Sequence, residues 1–166
     1  MPERLIIDPV DFAHHARAHH GKIALSEFER LHDYLAADSG ELQYAVTGHL
    51  DKDGKPVLQI SVTGEIGLQC QRCLGELRHA LNLSTMLLLA QNENELVRLD
   101  EDESVDCILA TRDTDVLALI EDEIILSLPI SPRHNEVECS VVPVDAQGGI
   151  AREKPLAALA ELKKLH

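Results

Sequence analysis

Two cysteines separated by two residues are the side chains in this sequence best suited to chemistry. Cys70 and Cys73 enclose Gln71 and Arg72. At this spacing the chain folds back until both sulfur atoms can face one metal ion or each other. The pair therefore supplies half of a four-ligand zinc site, or the two thiols of a redox motif. A thioredoxin-like motif follows a strand and opens a helix, whereas strand-like sequence flanks this pair on both sides.

Acidic side chains form a second group with potential chemistry. Residues 91–123 contain twelve carboxylates against two arginines, and the resulting net charge of -10 is most of the chain's -14. Carboxylates chelate Mg²⁺ for phosphodiester chemistry only when rigid elements hold them in place. A dense run such as residues 101–103 is typical of a solvated loop. We therefore expect a mobile acidic loop near residues 91–104.

Histidines near the start of the chain form a third group. Asp8 and Pro9 predict the beginning of a helix that runs to about His20. In such a helix His15 and His19 would lie on one face, as a metal site needs. Because no carboxylate or thiol ligand stands beside them, a solvated polar face is the favoured interpretation.

Strands are predicted to position the thiol pair. From residue 42, apolar and polar side chains alternate, and the alternation resumes after the turn at residues 51–54 and continues on both sides of the cysteines. This pattern predicts at least four antiparallel strands in succession. The expected product is an antiparallel sheet or a small barrel-like β core over residues 42–90.

Helices are predicted on both sides of this β core. Ser26 and Glu29 form the capping box of a second N-terminal helix. Asp115 caps a later helix with a broad apolar face, which Pro129 ends. Its outer side is expected to display three consecutive carboxylates, Glu121, Asp122 and Glu123.

The fold class predicted from these elements is α+β, with the β core packed by N- and C-terminal helices. Residues 1–140 form a single domain that contains the thiol hairpin. Residues 141–154 are predicted to be a linker, and residues 155–166 a C-terminal helix with leucines on its inner side and Lys163 and Lys164 near its end.

Composition limits the classes of function. The acidic charge repels phosphate backbones, and an aromatic content of 2% without tryptophan removes the usual stacking platforms for bases. Both features argue against a general nucleic-acid binder. The sequence has no apolar segment long enough to span a membrane, and residues 1–8 lack the long apolar region of a signal peptide, so we expect a cytoplasmic protein with reduced thiols.

Several stretches, in this order and spacing, resemble the YceD-like family of bacteria. They are the residues CQRCL at 70–74, DVLALIEDEIILSLPISPRHNEVEC at 115–139 and PLAALAELK at 155–163. Asp8 and Pro9 fit as well, so the resemblance spans nearly the whole chain. Members of the family are described as large-subunit ribosomal RNA accumulation proteins. The resemblance implies a non-enzymatic, cytoplasmic role in producing or stabilising the 23S rRNA of the large ribosomal subunit.

The resemblance also implies a third cysteine ligand, because the CxRC pair and a later cysteine recur in that family. They correspond here to Cys70, Cys73 and Cys139. With His134 as fourth ligand they would form a closed structural zinc site; the alternative is a group of neighbouring thiols without metal. Cys107 has no counterpart in this pattern and is predicted to be a small buried hydrophobe.

The expected partner is a large-subunit precursor, a ribosomal protein or the 23S rRNA, with no membrane and no small-molecule substrate. Direct contact with RNA would use cationic side chains, namely Arg72, Arg78, Arg133, Lys163 and Lys164. A basic ribosomal protein would instead meet the acidic helix face at residues 121–123 together with the mobile acidic loop near residues 91–104. The alternatives are a zinc-stapled binding module and a metal-dependent RNA-processing enzyme.

Overall fold

The computed structural model describes residues 4–135 and 138–139. Eight strands, three α-helices and two short 3-10 helices follow one another within these residues. Their order is β1 (Ile6–Ile7), α1 (Pro9–His14), β2 (Ala18–Ala24), two 3-10 helices (Leu25–Glu27 and Leu31–Tyr34), β3 (Leu35–Ala37), β4 (Glu41–Leu50), β5 (Pro56–Gln69), β6 (Glu76–Ala90), α2 (Glu93–Asp100), β7 (Asp106–Leu109), β8 (Thr114–Asp115) and α3 (Val116–Ser127).

A six-stranded sheet forms the body of the molecule. Five strands lie in the order β2-β4-β5-β6-β7, and β3 pairs with β5 beyond the end of β4. All of these pairs are antiparallel except β6 with β7, which is parallel. The six strands form an open sheet and not a closed barrel, and β1 pairs with β8 in a separate two-stranded sheet. The α+β class and the sheet alternative are therefore confirmed.

The β core has fewer and longer strands than predicted. Residues 42–90 hold three strands in place of four, because β5 continues without interruption through two of the predicted segments, and β6 runs on to Ala90 as one strand. Their pairing runs from Val57 opposite Leu88 to Gln69 opposite Glu76. The long hairpin therefore carries the residues at its turn well beyond the centre of the sheet.

Apolar side chains from one face of the sheet and from α3 make the core. Ile60 and Val62 on β5 and Ile120 and Ile124 on α3 are completely buried. Helix α1 packs close to β4 at Gly48, where an added Cβ would lie 2.7 Å from the backbone of Ala13. The predicted α3 helix is confirmed, with Asp115 as its N-cap.

The predicted long N-terminal helix is wrong. Helix α1 ends at His14, and Ala16 takes a left-handed backbone conformation with φ of 48°. The chain then enters β2, where His19 lies opposite Val46. Pairing with β4 outweighs the local helical tendency, so His15 and His19 do not share a helical face.

The second predicted helix is also replaced by other structure. Around Ser26 and Leu31 the chain forms only the two short 3-10 helices, and β3 begins at Leu35. Phe28 and Leu31 nevertheless enter the core, with 1% and 0% of their surface exposed. Burial of these two side chains thus holds the segment against the core, although the segment forms no regular α-helix.

The acidic stretch near residues 91–104 contains helix α2. The side chain of Asn92 accepts a hydrogen bond from the backbone N–H of Glu95 at 2.9 Å and caps this helix. No α2 residue is fully buried, and the mobility of the stretch stays a prediction. The predicted linker at 141–154 and the C-terminal helix at 155–166 lie outside the described residues.

Candidate metal centre

The turn of the β5–β6 hairpin carries Cys70 and Cys73. The N–H of Cys70 donates to the carbonyl of Gly75 at 2.9 Å, and the N–H of Leu74 donates to the carbonyl of Cys70 at 2.9 Å. Leu74 has a φ of 60°, a left-handed conformation that is uncommon for a bulky side chain. These bonds bend the chain so that both thiols lie on the same side of the turn.

The segment after α3 returns to this turn and brings two more potential ligands. The N–H of Gln71 donates to the carbonyl of Pro132 at 2.8 Å, and the N–H of His134 lies 3.4 Å from the sulfur of Cys70. Cys139, at the end of the described chain, places its sulfur 3.9 Å from that of Cys70.

The four side chains meet at one point. The ligand atoms of Cys70, Cys73, His134 and Cys139 all lie within 4.8 Å of one another. A tetrahedral zinc ion with Zn–S bonds of about 2.3 Å separates its sulfur ligands by about 3.8 Å, close to the 3.9 Å between Cys70 and Cys139. The structure thus brings together the four ligands predicted from the sequence, and they could hold a metal ion.

The electrostatics of the cluster suit a cation. Burial opposes a charge on Cys70, but hydrogen bonds from the backbone N–H groups of Cys73, His134 and Arg72 lower the pKa of its thiol to about 5. Burial, together with the sulfurs of Cys73 and Cys70, raises the pKa of Cys139 to about 11. Without a metal ion, the protein favours the thiolate form of Cys70 and opposes a second thiolate at Cys139. A divalent cation would relieve the repulsion between the two negative sulfurs.

A hydrogen bond outside the cluster orients the imidazole. Nε2 of His134 lies 2.8 Å from the carbonyl oxygen of Glu76. Donation from Nε2–H to this carbonyl leaves Nδ1 as the nitrogen with a free lone pair, and Nδ1 lies 3.3 Å from the sulfur of Cys73. Metal-binding histidines are usually held in this way.

Three cysteines and one histidine make a closed ligand set. Catalytic zinc sites keep a position open for water or substrate, whereas structural sites have four protein ligands. Cys70 is fully buried, and the other three ligands are half-buried. The arrangement is therefore suited to joining the hairpin turn to the segment after α3 and not to activating a substrate.

Three arginines surround this turn. Arg72 lies between the cysteines, and Arg133 precedes His134; both are exposed. The side chain of Arg78 is 81% exposed and lies 3.3 Å from the carboxylate of Glu65 on the neighbouring strand. Lys163 and Lys164, the other predicted cationic contacts, lie outside the described residues.

The acidic residues of α3 are not displayed as predicted. Glu121 is only 5% exposed, because the chain around residues 30–34 packs over it. Its Oε1 accepts hydrogen bonds from the N–H groups of Arg30 at 2.6 Å and Leu31 at 3.0 Å, and its Oε2 lies 2.9 Å from Nε of Arg30. The same guanidinium binds Asp122, whereas Glu123 is half-buried.

Sequence analysis missed the role of Arg30. Burial raises the pKa of Glu121, but the N–H groups of Leu31 and Arg30 and the guanidinium outweigh it and lower the pKa overall. The sequence predicts a helix that starts at Ser26 and Glu29, and Arg30 lies within it. Its partner Glu121 is distant in sequence, so no local pattern indicates the contact between them. The predicted exposure is therefore wrong for Glu121.

Cys107 is half-buried on β7, and its burial raises the pKa of its thiol. Its sulfur lies 4.0 Å from the carbonyl oxygen of Leu96 on α2. It does not belong to the group of four ligands, and it is less buried than the small buried hydrophobe that the sequence predicts.

Comparisons with known proteins agree with the resemblance found in the sequence. A family model described as large ribosomal RNA subunit accumulation protein YceD matches residues 58–165. A relative from Haemophilus influenzae, named large ribosomal RNA subunit accumulation protein YceD, is 25% identical over 166 aligned residues, which cover 96% of this chain and 95% of the relative. No solved structure matches.

None of the helices in the described part of the chain is both long and apolar enough to cross a lipid bilayer.

Proposed function

Because the chain belongs to the YceD family, we propose that it is a non-enzymatic cytoplasmic factor that supports accumulation of the 23S rRNA of the large ribosomal subunit. It acts by binding an assembly intermediate or a ribosomal protein within it. The name of the Haemophilus influenzae relative, a large ribosomal RNA subunit accumulation protein, supports the part of the proposal that concerns rRNA accumulation. The observation that carries a binding role is the closed ligand cluster at the hairpin turn, which fixes a surface and leaves no open position for a substrate.

Zinc is the proposed occupant of the cluster. Thiolate and imidazole ligands suit zinc, and the separation of 3.9 Å between two of the sulfurs fits a tetrahedral ion. A bound zinc ion would supply the charge that the thiolates need and would join residues 70–73 to residues 134–139. It would act as a structural staple for the surface around it.

Two surfaces with opposite charge are proposed as contacts. Arg72, Arg78 and Arg133 around the turn would bind phosphates of the precursor rRNA. The exposed carboxylates at the end of α2, residues 100–103, would bind a basic ribosomal protein and speed the encounter with it. This second contact replaces the predicted face at residues 121–123, from which Glu121 is withdrawn.

Co-sedimentation with large-subunit precursors tests the proposal. The zinc-loaded protein should travel with precursor particles, and the bound fraction should fall as salt increases. Replacing Arg72 and Arg133 by alanine should weaken binding to precursor rRNA, whereas Arg112→Ala, an exposed arginine away from the turn, should leave it unchanged. Charge reversal at Glu101 and Glu103 should weaken binding to basic ribosomal proteins. Failure to bind precursors, ribosomal proteins and 23S fragments alike would overturn the proposal.

A metal-dependent RNA-processing enzyme is the competing function. Glu121 and Asp122 would be its carboxylates, but both are bound by Arg30, with which a Mg²⁺ ion would have to compete. Among the described residues, the four cysteine and histidine ligands are the one group that converges as a metal site does. We expect no cleavage of precursor rRNA with Mg²⁺ or Mn²⁺; cleavage that Asp122→Ala abolishes would establish the enzyme instead.

A further inference from the structure

A groove with both polar and apolar lining lies beside the cysteine turn. It has a volume of about 630 Å³ and is formed by the segment around Tyr34, the end of β5, the turn at Leu74 and the chain that follows α3 up to Pro132. Three large apolar side chains are strongly exposed in or at the edge of it. Tyr34 is 50% exposed, Leu74 is 66% exposed and Ile130 is completely exposed.

Leu74 is an unusual residue for its backbone. A leucine with a φ of 60° is strained relative to glycine or asparagine, by about 1 kcal/mol. Gly or Asn at this position would adopt the same backbone conformation with less strain. A strained leucine whose side chain lines an open groove indicates that the side chain, and not the turn, requires leucine here.

From these observations we infer that the groove binds the chain's own C-terminal segment, residues 155–166, as an amphipathic helix. The sequence of this segment places leucines at intervals of three, Leu156, Leu159 and Leu162, after Pro155 at the helix start. An isolated helix of this length is marginal in water. Packing of its leucines against Leu74 and Ile130 supplies the apolar contact that it lacks.

The connection is long enough to reach the groove. The described chain ends at Cys139, whose sulfur lies 3.9 Å from that of Cys70, and Gln71 in the same turn lines the groove. Residues 140–154 span about 20 Å on average as a flexible chain and up to about 50 Å when extended. A 12-residue helix is about 18 Å long. The tether therefore begins beside its binding site and places the segment there at high effective concentration.

Charge favours the same occupant. The charged side chains that line the groove are both carboxylates, Asp33 and Glu76. The C-terminal segment carries two cations, Lys163 and Lys164, at its far end against one carboxylate, Glu161. Cations in the last turn also suit the helix dipole, so the lysines can bind the rim of the groove while the leucines enter it.

Hydrogen exchange of the full-length, zinc-loaded chain tests the inference. Amides of residues 155–166 should exchange at least tenfold more slowly than expected for an unstructured chain. Leu74→Asn, which suits the left-handed backbone, should remove this protection while leaving exchange in β5 unchanged. Met86→Asn is the matched control, because Met86 is 59% exposed but lies outside the groove.

The position of the segment is tested by a photo-crosslinking phenylalanine analogue that replaces Leu159. It should crosslink within the same chain to residues around Leu74 and Ile130. Protection that is absent, that persists in Leu74→Asn, or that appears only at high protein concentration with crosslinks between chains would overturn the inference. The last outcome would identify a second copy as the occupant.

Discussion

Replacement of Glu121 by glutamine should destabilise the protein far more than replacement of its neighbour Asp122 by asparagine. In the native protein one carboxylate oxygen accepts two backbone N–H groups, and the other accepts Nε–H of Arg30. Glutamine keeps one acceptor oxygen but turns its NH₂ group towards the Nε–H of the arginine, so a donor faces a donor. Hydrogen bonds to a charged group contribute about 1.5–3 kcal/mol each. We expect Glu121→Gln to lower the free energy of unfolding by about 2 kcal/mol.

Urea denaturation at pH 7 measures this effect. With a slope of about 2 kcal/mol per molar urea, the midpoint should fall by about 1 M. The control is Asp122→Asn, which loses an ion pair to the same guanidinium but whose side chain is 50% exposed. Exposed pairs contribute at most about 1 kcal/mol, so the control should lose less than half as much stability.

The difference between wild type and Glu121→Gln should also depend on pH. The pKa of Glu121 is lower in the folded protein than in the unfolded chain, where it is about 4.3. The ionised carboxylate therefore stabilises the fold fully above that pH, and this stabilisation is lost as the pH falls through the folded pKa. Equal losses in Glu121→Gln and Asp122→Asn, or a difference that grows on acidification, would refute this account of Glu121.

Three further measurements follow from the structure. Elemental analysis of the purified chain should find about one equivalent of zinc; Cys70→Ser should lose it, whereas Cys107→Ser should keep it. Gly48→Ala should lower the free energy of unfolding by more than about 1 kcal/mol, since its Cβ would lie 2.7 Å from the backbone of Ala13; an unchanged denaturation midpoint would contradict the observed packing of α1. Removal of the metal with a chelator should speed amide exchange at residues 70–76 but not in α3. An equal increase in exchange rate in both segments would show instead that the metal supports the whole fold.

Long, regular patterns in the sequence predicted much of the fold. The alternation of apolar residues identified the β core, and Asp115 with Pro129 identified α3, because these signals lie within single elements. The pattern could not show that β5 runs on through Gly64 and Gly67, since glycine interrupts the alternation without ending the strand. The parallel pairing of β7 with β6 joins segments separated by α2 and leaves no local signal either.

Local helix signals failed where pairing between distant residues decides the structure. Asp8 and Pro9 correctly start α1, but its end depends on the pairing of β2 with β4, from Ala18 opposite Thr47 to Ala24 opposite Glu41. Glu121 was expected on the surface because carboxylates usually are. Its burial depends on Arg30, which lies 91 residues away in sequence, in a segment predicted to be a separate helix.

Cys70 and Cys73 could be predicted as a pair because their spacing carries chemical meaning, whereas Cys139 and His134 were added only through the family resemblance and the expected fold. The turn at residues 70–75 follows the end of β5 and precedes β6, and the side chain of Leu74 within it is 66% exposed, so the described residues give this side chain little apolar packing. Among the described residues, one backbone hydrogen bond, from Gln71 to Pro132, joins the turn to the segment after α3, together with contacts of His134 to Cys70 and Glu76. A metal ion held by Cys70, Cys73, His134 and Cys139 would add four strong bonds across the same gap. The positions of Arg72 and Arg133, and the point from which the C-terminal segment departs, would then all depend on one ion.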